Sequence, residues 1–174
     1  LRVSAPFTLG NHVIAPLVAD FLQRHDQVRV DLQLTDSVVD LAGEGFDVAV
    51  RIGQVVNEGL VARPLRPYRM VIAAAPAYLQ RWPAPIEPHT LGEHALLGYN
   101  RLAQPQRLSL QGPDGQRLDV AMPSRLSANS PMALRTAAIA GLGIASFDRF
   151  IVHDALLDGR LVQVLPEWQQ PSRH

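Results

Sequence analysis

An apolar strand pattern at residues 2–5 gives way to Val13, Ile14, Leu17, Val18, Phe21 and Leu22, which recur at the spacing of one helix face. "VRVDLQL" at residues 28–34 then alternates as a strand, "DSVVDLAGEG" at 36–45 predicts a short helix ending on glycine, and "FDVAVRIG" at 46–53 predicts another strand. Strand, helix, strand, helix, strand is the order a parallel sheet imposes, because parallel neighbours need a return path long enough to hold a helix. The alternation places the chain in the α/β class. Pro16 lies inside the first helical pattern and has no N–H to give a helix interior, so the regular helix begins near Ala15 or kinks there.

"LVARPL" at 60–65 and "YRMVIAAA" at 68–75 predict two more strands. The character then changes. "APAYLQRW" at 75–82 reads as a short helix, and "PAPIEPHT" at 83–90 carries three of the fourteen prolines as a rigid connector. "LSLQGPDGQRLDV" predicts a hairpin around Pro113-Asp114-Gly115. From Ser124 the opening pattern returns: strand "SRLSA", turn Asn129-Ser130-Pro131, helix "MALRTAAIAG", strand "LGIASF", helix "DRFIVHDALLDG" and strand "RLVQVL". Two α/β lobes, residues 1–74 and 75–174, are expected to meet near residues 73–76.

Both lobes carry a strand-to-helix turn with a hydroxyl beside a proline. Ser130 or Asn129 can cap the helix that Pro131 opens, since proline at the first helical position loses no bond and a capping oxygen satisfies a free N–H. Helix starts collect unpaired donors and favour acceptors and anions. If the turn from Ser4 to Thr8 is built alike, the two ends make a clamp for a small polar or anionic molecule. Beyond the carboxyl ends of strands, where both turns fall, is where ligands of open α/β sheets sit. The alternative is that each cap serves only its own helix.

Composition narrows the function classes. Of 174 residues, 47% are hydrophobic and 18% charged, enough apolar material for a core. Sixteen basic residues balance sixteen acidic ones, so this segment has no basic face with which to grip nucleic-acid phosphates by itself. Every one of those cations is arginine. Genome composition accounts for that bias first, although each arginine offers a planar fork for carboxylates. No cysteine is present, which excludes disulfides and thiolate metal sites. No signal peptide opens the sequence, and no apolar run reaches the roughly 18 residues of a membrane span, so a soluble cytoplasmic protein is expected.

No catalytic constellation emerges. His89 and His94 flank "TLGE" five residues apart, not at the spacing of four that puts two ligands on one helix face. "GLGIAS" lacks the three spaced glycines of a dinucleotide site, and packing at a helix end explains Gly141 and Gly143 better. Neither a G-x-S-x-G elbow nor a phosphate-binding GK[ST] loop is found. No enzyme activity, cofactor or metal is expected.

"LRVSAPFTLGNHVIAPLVADFLQRHDQVRVDLQLTDSVVDLAGEGFDVAVRIG", "LVARPLRPYRMVIAAAPAYL", "LSANSPMALRTAAIAGLGIASF" and "DALLDGRLVQVLPEW" together resemble the effector-binding (regulatory) domain of LysR-type transcriptional regulators. The resemblance spans nearly the whole chain. It implies two Rossmann-like lobes of the type 2 periplasmic-binding-protein fold, with mixed, mostly parallel sheets and a small effector in the interlobe cleft. It also implies a homodimer or tetramer in which residues 13–24 of one subunit lie beside 132–141 of another. DNA would be reached only through an N-terminal helix-turn-helix domain that does not precede Leu1. A return strand and final helix, usual after a stretch like "LPEWQQP", would be missing from the first lobe. A stand-alone periplasmic solute-binding protein shares the architecture and is the alternative.

Carried onto matching positions, the resemblance implies an effector site drawn from Ser4, Ala5, Pro6 and Thr8, from Thr35 and Asp36, and from Arg51, Ile52 and Gly53. The second lobe would add Tyr99, Asn129, Ser130, Phe147 and Asp148. Ser4, Thr8 and Ser130 would donate hydrogen bonds, Tyr99 and Phe147 would form apolar walls, and Arg51 would pair with a carboxylate. Plainer roles stand beside these. Arg51 neutralises Asp36 or Asp47, Phe147 belongs to the core, or Asp148 caps the next helix.

Overall fold

The computed structural model describes residues 1–37, 41, 43–53, 59–65 and 69–170. The chain divides into two compact units, essentially Leu1–Arg66 and Pro67–Ser172.

In the first unit β1 (Arg2–Ala5) is the middle strand of a parallel sheet, flanked by β2 (Asp31–Leu34) and β3 (Val48–Ala49). Val3 and Ala5 are buried, as the apolar pattern requires. The helical pattern after Pro6 forms in three pieces: α1 (Phe7–Leu9), a π-helical turn (Gly10–Ile14) and α2 (Ala15–Arg24). In the π-turn the Ala15 N–H donates to the Gly10 carbonyl, five residues back. Pro16 explains it: the ring has no N–H to offer the carbonyl four residues back and needs room there, which a widened turn supplies. No residue of α2 is fully buried, and Leu17 is 57% exposed.

One expectation for this unit falls partly outside the described residues, and another needs amending. The helix expected at 36–45 includes residues 38–40 and 42, which lie outside the described residues. "LVARPL" is not a strand: 60–65 has no ladder partner among the described residues, with Val61 fully exposed and Leu65 nearly so. Pro64 withholds a donor there, and alternation alone does not create a neighbouring strand.

The second unit is built on β4 (Met70–Ala74), which pairs antiparallel with both β10 (Val162–Gln163) and β9 (Ala145–Asp148). A parallel pair, β5 (Leu96–Tyr99) and β8 (Ser124–Ala128), is stitched to β9 by the parallel bridge between Leu96 and Ile144. The strands β10, β9, β5 and β8 thus end at one edge of this surface, where β4 begins. Val71 and Ala73 enter a core formed with α4 (Pro131–Ile139) and α5 (Arg149–Leu157), while Ile72 and Ala74 enter a second core on the opposite face. A strand covered on both faces must be apolar at every position, which is why "MVIAA" shows no alternation.

The second core is closed by the hairpin of β6 (Arg107–Gln111) and β7 (Arg117–Ala121), by α3 (Pro76–Leu79), and by a 3-10 turn at Pro88–Glu93 that buries Leu91. The expected hairpin is therefore present, with Gly115 at φ +76° in its turn. The proline-rich connector is less uniform than expected, since its second half coils into the 3-10 turn. At the end of α4, Gly141 (φ +73°) donates to the Ala138 carbonyl and Leu142 N–H to the Ala137 carbonyl, a Schellman cap. Gly141 is a helix terminator, as packing at a helix end predicts.

Candidate functional site at the strand ends

In the first unit the expected residues converge at the carboxyl end of the sheet. Ser4 is completely buried, and its Oγ accepts from Arg51 Nη2 at 2.9 Å. Arg51 Nη1 donates to the Val50 carbonyl at 2.9 Å, so the guanidinium is tied through both terminal nitrogens beside Ser4 of β1. Among the described residues no carboxylate forms an ion pair with Arg51. Neither Asp36 nor Asp47 neutralises it. Asp47 instead accepts from the Arg2 N–H at 2.7 Å.

Asp36 has a separate task. Its Oδ1 accepts from the Phe7 N–H at 2.9 Å, so the chain's own carboxylate occupies the start of the first helix. The Thr35 N–H donates to the Ala5 carbonyl at 2.9 Å, and Thr35 Oγ1 accepts from the Ser37 N–H at 3.1 Å. Thr8 is half-buried in α1, Pro6 is half-buried before it, Ile52 is exposed, and Gly53 adopts φ +111°. Positive charge available to a ligand at this end of the unit therefore comes from Arg51 and not from the helix start.

In the second unit Ser130 is the N-cap of α4, its Oγ accepting from the Ala133 N–H at 3.4 Å, with Pro131 opening the helix. Asn129 is exposed beside it, and Tyr99 ends β5 half-buried against the first core. Phe147 is 2% exposed and packs within that core, so it is a core residue and not an open pocket wall. Asp148 ends β9 opposite Met70; it stands at the N-cap position of α5, but its side chain makes no cap bond there. Asp148 does not serve as the cap.

The same edge of the second unit holds a cavity of about 220 Å³ that the sequence did not signal, lined in part by Arg69, Arg149, Gln163, Trp168 and Gln169. Isolated arginines in a chain with sixteen arginines and no lysine carry no periodic or motif signal. No group of three or more His, Cys, Asp or Glu side chains suited to a metal occurs among the described residues. His89 lies 3.2 Å from Glu87, whereas His94 is buried against Tyr78. No helix among the described residues is long and apolar enough to cross a membrane.

This is the mixed α/β, type 2 periplasmic-binding-protein-like fold of a ligand-sensing regulatory domain, with hydroxyl-bearing turns at the strand ends. The LysR substrate binding domain family matches residues 1–174, and the chain belongs to that family, one of transcriptional regulators and not of enzymes. It is 36% identical over 169 residues to the probable HTH-type transcriptional regulator LtrA of Klebsiella pneumoniae, covering 97% of this chain and 54% of that protein. PtxR, an HTH-type transcriptional regulator of Pseudomonas aeruginosa, is 32% identical over 172 residues, covering 99% of this chain and 55% of PtxR. The full-length structure of the Vibrio cholerae virulence activator AphB matches with a TM-score of 0.88 at 27% identity, over 99% of this chain and 58% of AphB. The CrgA regulatory domain of Neisseria meningitidis matches with a TM-score of 0.81 at 25% identity, over 98% of this chain and 85% of that domain. The chain spans about half the length of the full-length regulators it matches.

Proposed function

We propose that this chain is the sensor of a LysR-type regulator acting in the cytoplasm, taking a small effector at its strand ends and passing that event to an attached helix-turn-helix domain. The observation that carries the reading is Arg51, braced on Ser4 and Val50 with no carboxylate partner among the described residues. A guanidinium held this way is prepared for a polar or anionic group. Thr8, Thr35 and Gly53 of the first unit are proposed as effector contacts with Arg51, and Ser130, Asn129 and Tyr99 as those of the second unit.

An effector changes DNA binding only through its difference in affinity between two arrangements of the regulator. We assign that two-state element to a homodimer. The apolar stripe of α2, with Leu17 exposed, supports a partner contact, and α4 is the face proposed to meet it. Leu134, Ala137 and Ala138 of α4 are buried in their own core, and Met132 and Ile139 pack half-buried against it.

The test begins with a thermal-shift screen of small carboxylates, aromatics and amino acids, since binding to the native state raises apparent stability. Calorimetry on the strongest hit then compares the parent chain with Ser130→Leu and Arg51→Gln. Weaker binding in both variants, with unchanged circular dichroism, supports the reading. Unchanged affinity in both removes these residues from the effector site.

A further inference from the structure

We propose that the cavity between the start of β4 and the turn after β10 is a binding site for a small dicarboxylate. Its volume of about 220 Å³ lies below the roughly 300–1,000 Å³ usual for drug-sized ligands, so it suits a molecule of a few carbon atoms. Two guanidinium-bearing residues line it, and no acidic side chain among the described residues does. Neither Arg69 nor Arg149 forms an ion pair with a carboxylate among the described residues. Asp148 and Glu167 adjoin the lining residues in sequence without lining the cavity themselves, so the two arginines are its charged lining among the described residues.

The site is built on fixed backbone. The Arg149 N–H donates to the Arg69 carbonyl at 3.0 Å, holding the two arginines as neighbours. Gln169 exchanges two backbone hydrogen bonds with Gln111, at 2.7 and 2.9 Å. The Trp168 N–H donates to the Leu165 carbonyl at 2.9 Å, and Leu165 holds φ +48°, unique among non-glycine residues described. Left-handed backbone at a leucine is costly and is retained where surrounding structure enforces a particular turn. That turn brings the half-buried Trp168 to the cavity. Arg69 and Arg149 bring guanidinium groups suited to carboxylates, Trp168 an indole and Gln163 and Gln169 amide groups, the contacts a short dicarboxylate would use.

The assignment is independent of Ser4, Arg51 and Ser130, none of which lines this cavity. The test uses the full chain with Trp82→Phe, leaving Trp168 as the one fluorophore of its kind, titrated with malonate at constant ionic strength. The expected result is a saturable change in Trp168 emission whose midpoint rises about tenfold to a hundredfold in Arg69→Gln or Arg149→Gln, the loss of a charged hydrogen-bonding partner. Arg117→Gln, at an exposed arginine of β7 that does not line the cavity, is expected to leave the midpoint within about twofold. Circular dichroism monitors folding; if a glutamine variant misfolds, Arg149→Lys, which keeps the charge but loses the fork, takes its place and should still raise the midpoint. The proposal is overturned by an unsaturable response, by an unchanged midpoint in the folded Arg69 and Arg149 variants, by an equal response to inorganic phosphate, or by an equal rise of the midpoint in folded Arg117→Gln.

Discussion

The Tyr78 hydroxyl lies 3.3 Å from His94 Nδ1 and accepts from the Ala95 N–H at 3.0 Å, joining α3 to the chain entering β5. Burial lowers the His94 pKa from its ordinary value near 6.5, against an opposing pull from Glu93. The unfolded chain therefore binds a proton at His94 more readily than the native one, and stability must fall as pH drops through about 6.5. Urea unfolding between pH 8 and 5 should show this decline. His94→Gln should flatten it.

Tyr78→Phe should cost about 1–3 kcal/mol, because it strands a buried ring nitrogen and a backbone N–H rather than merely deleting a bond. Comparing its urea midpoint with that of the parent chain at pH 8 measures the loss. A midpoint within error of the parent would show that water replaces the hydroxyl.

Ser130→Ala removes the oxygen that caps α4 and should destabilise the chain by about 1 kcal/mol, whereas Ser130→Asp should retain most of the cap. Thermal melts of the two variants separate capping from any part Ser130 has in binding.

At Leu165 two effects oppose each other. Glycine would relieve the left-handed backbone by about 1 kcal/mol, but removing a buried leucine side chain costs about 2–5 kcal/mol. Leu165→Gly should therefore be destabilising on balance. A variant as stable as the parent would show that the turn carries more strain than its φ indicates.

Gly143 is set by close approach rather than by dihedral angle. A methyl group there would run into the Ala95 carbonyl oxygen, which accepts from the Ile144 N–H at 2.9 Å. Gly143→Ala should cost about 1–3 kcal/mol through forced backbone displacement. Gly115→Ala, in open space at φ +76°, should cost only the strain of the dihedral, about 1–2 kcal/mol. Equilibrium unfolding of both variants, with a larger loss for Gly143, checks the order.

Elements with a local cause could be read directly. The 112–116 turn, the Ser130-Pro131 cap and the doubly covered strand at 70–74 each carry their reason in adjacent residues, and each forms. The strand expected at 60–65 did not, because a ladder depends on a neighbour that lies elsewhere in sequence. The site divides in the same way. The hydroxyls of Ser4 and Ser130 stood out beside their prolines, yet the bond from Arg51 to Ser4 joins residues 47 positions apart. Likewise Asp36 on the Phe7 N–H, and the meeting of Arg69 with Arg149, come from strand order and not from any local pattern.

The widened turn at Gly10–Ile14 has a geometric result for the helix beyond it. Each helical residue advances the face by about 100°, and a π-turn holds one residue more than the α-turn it replaces. Leu17 and Phe21 consequently point along a different azimuth from the one an unbroken helix starting at Phe7 would give them. Adding or deleting a single residue in this stretch would swing the distal face about the axis while the bond from Gly10 to Pro6 anchors the proximal end, making the turn a rotary joint for the surface that α2 presents.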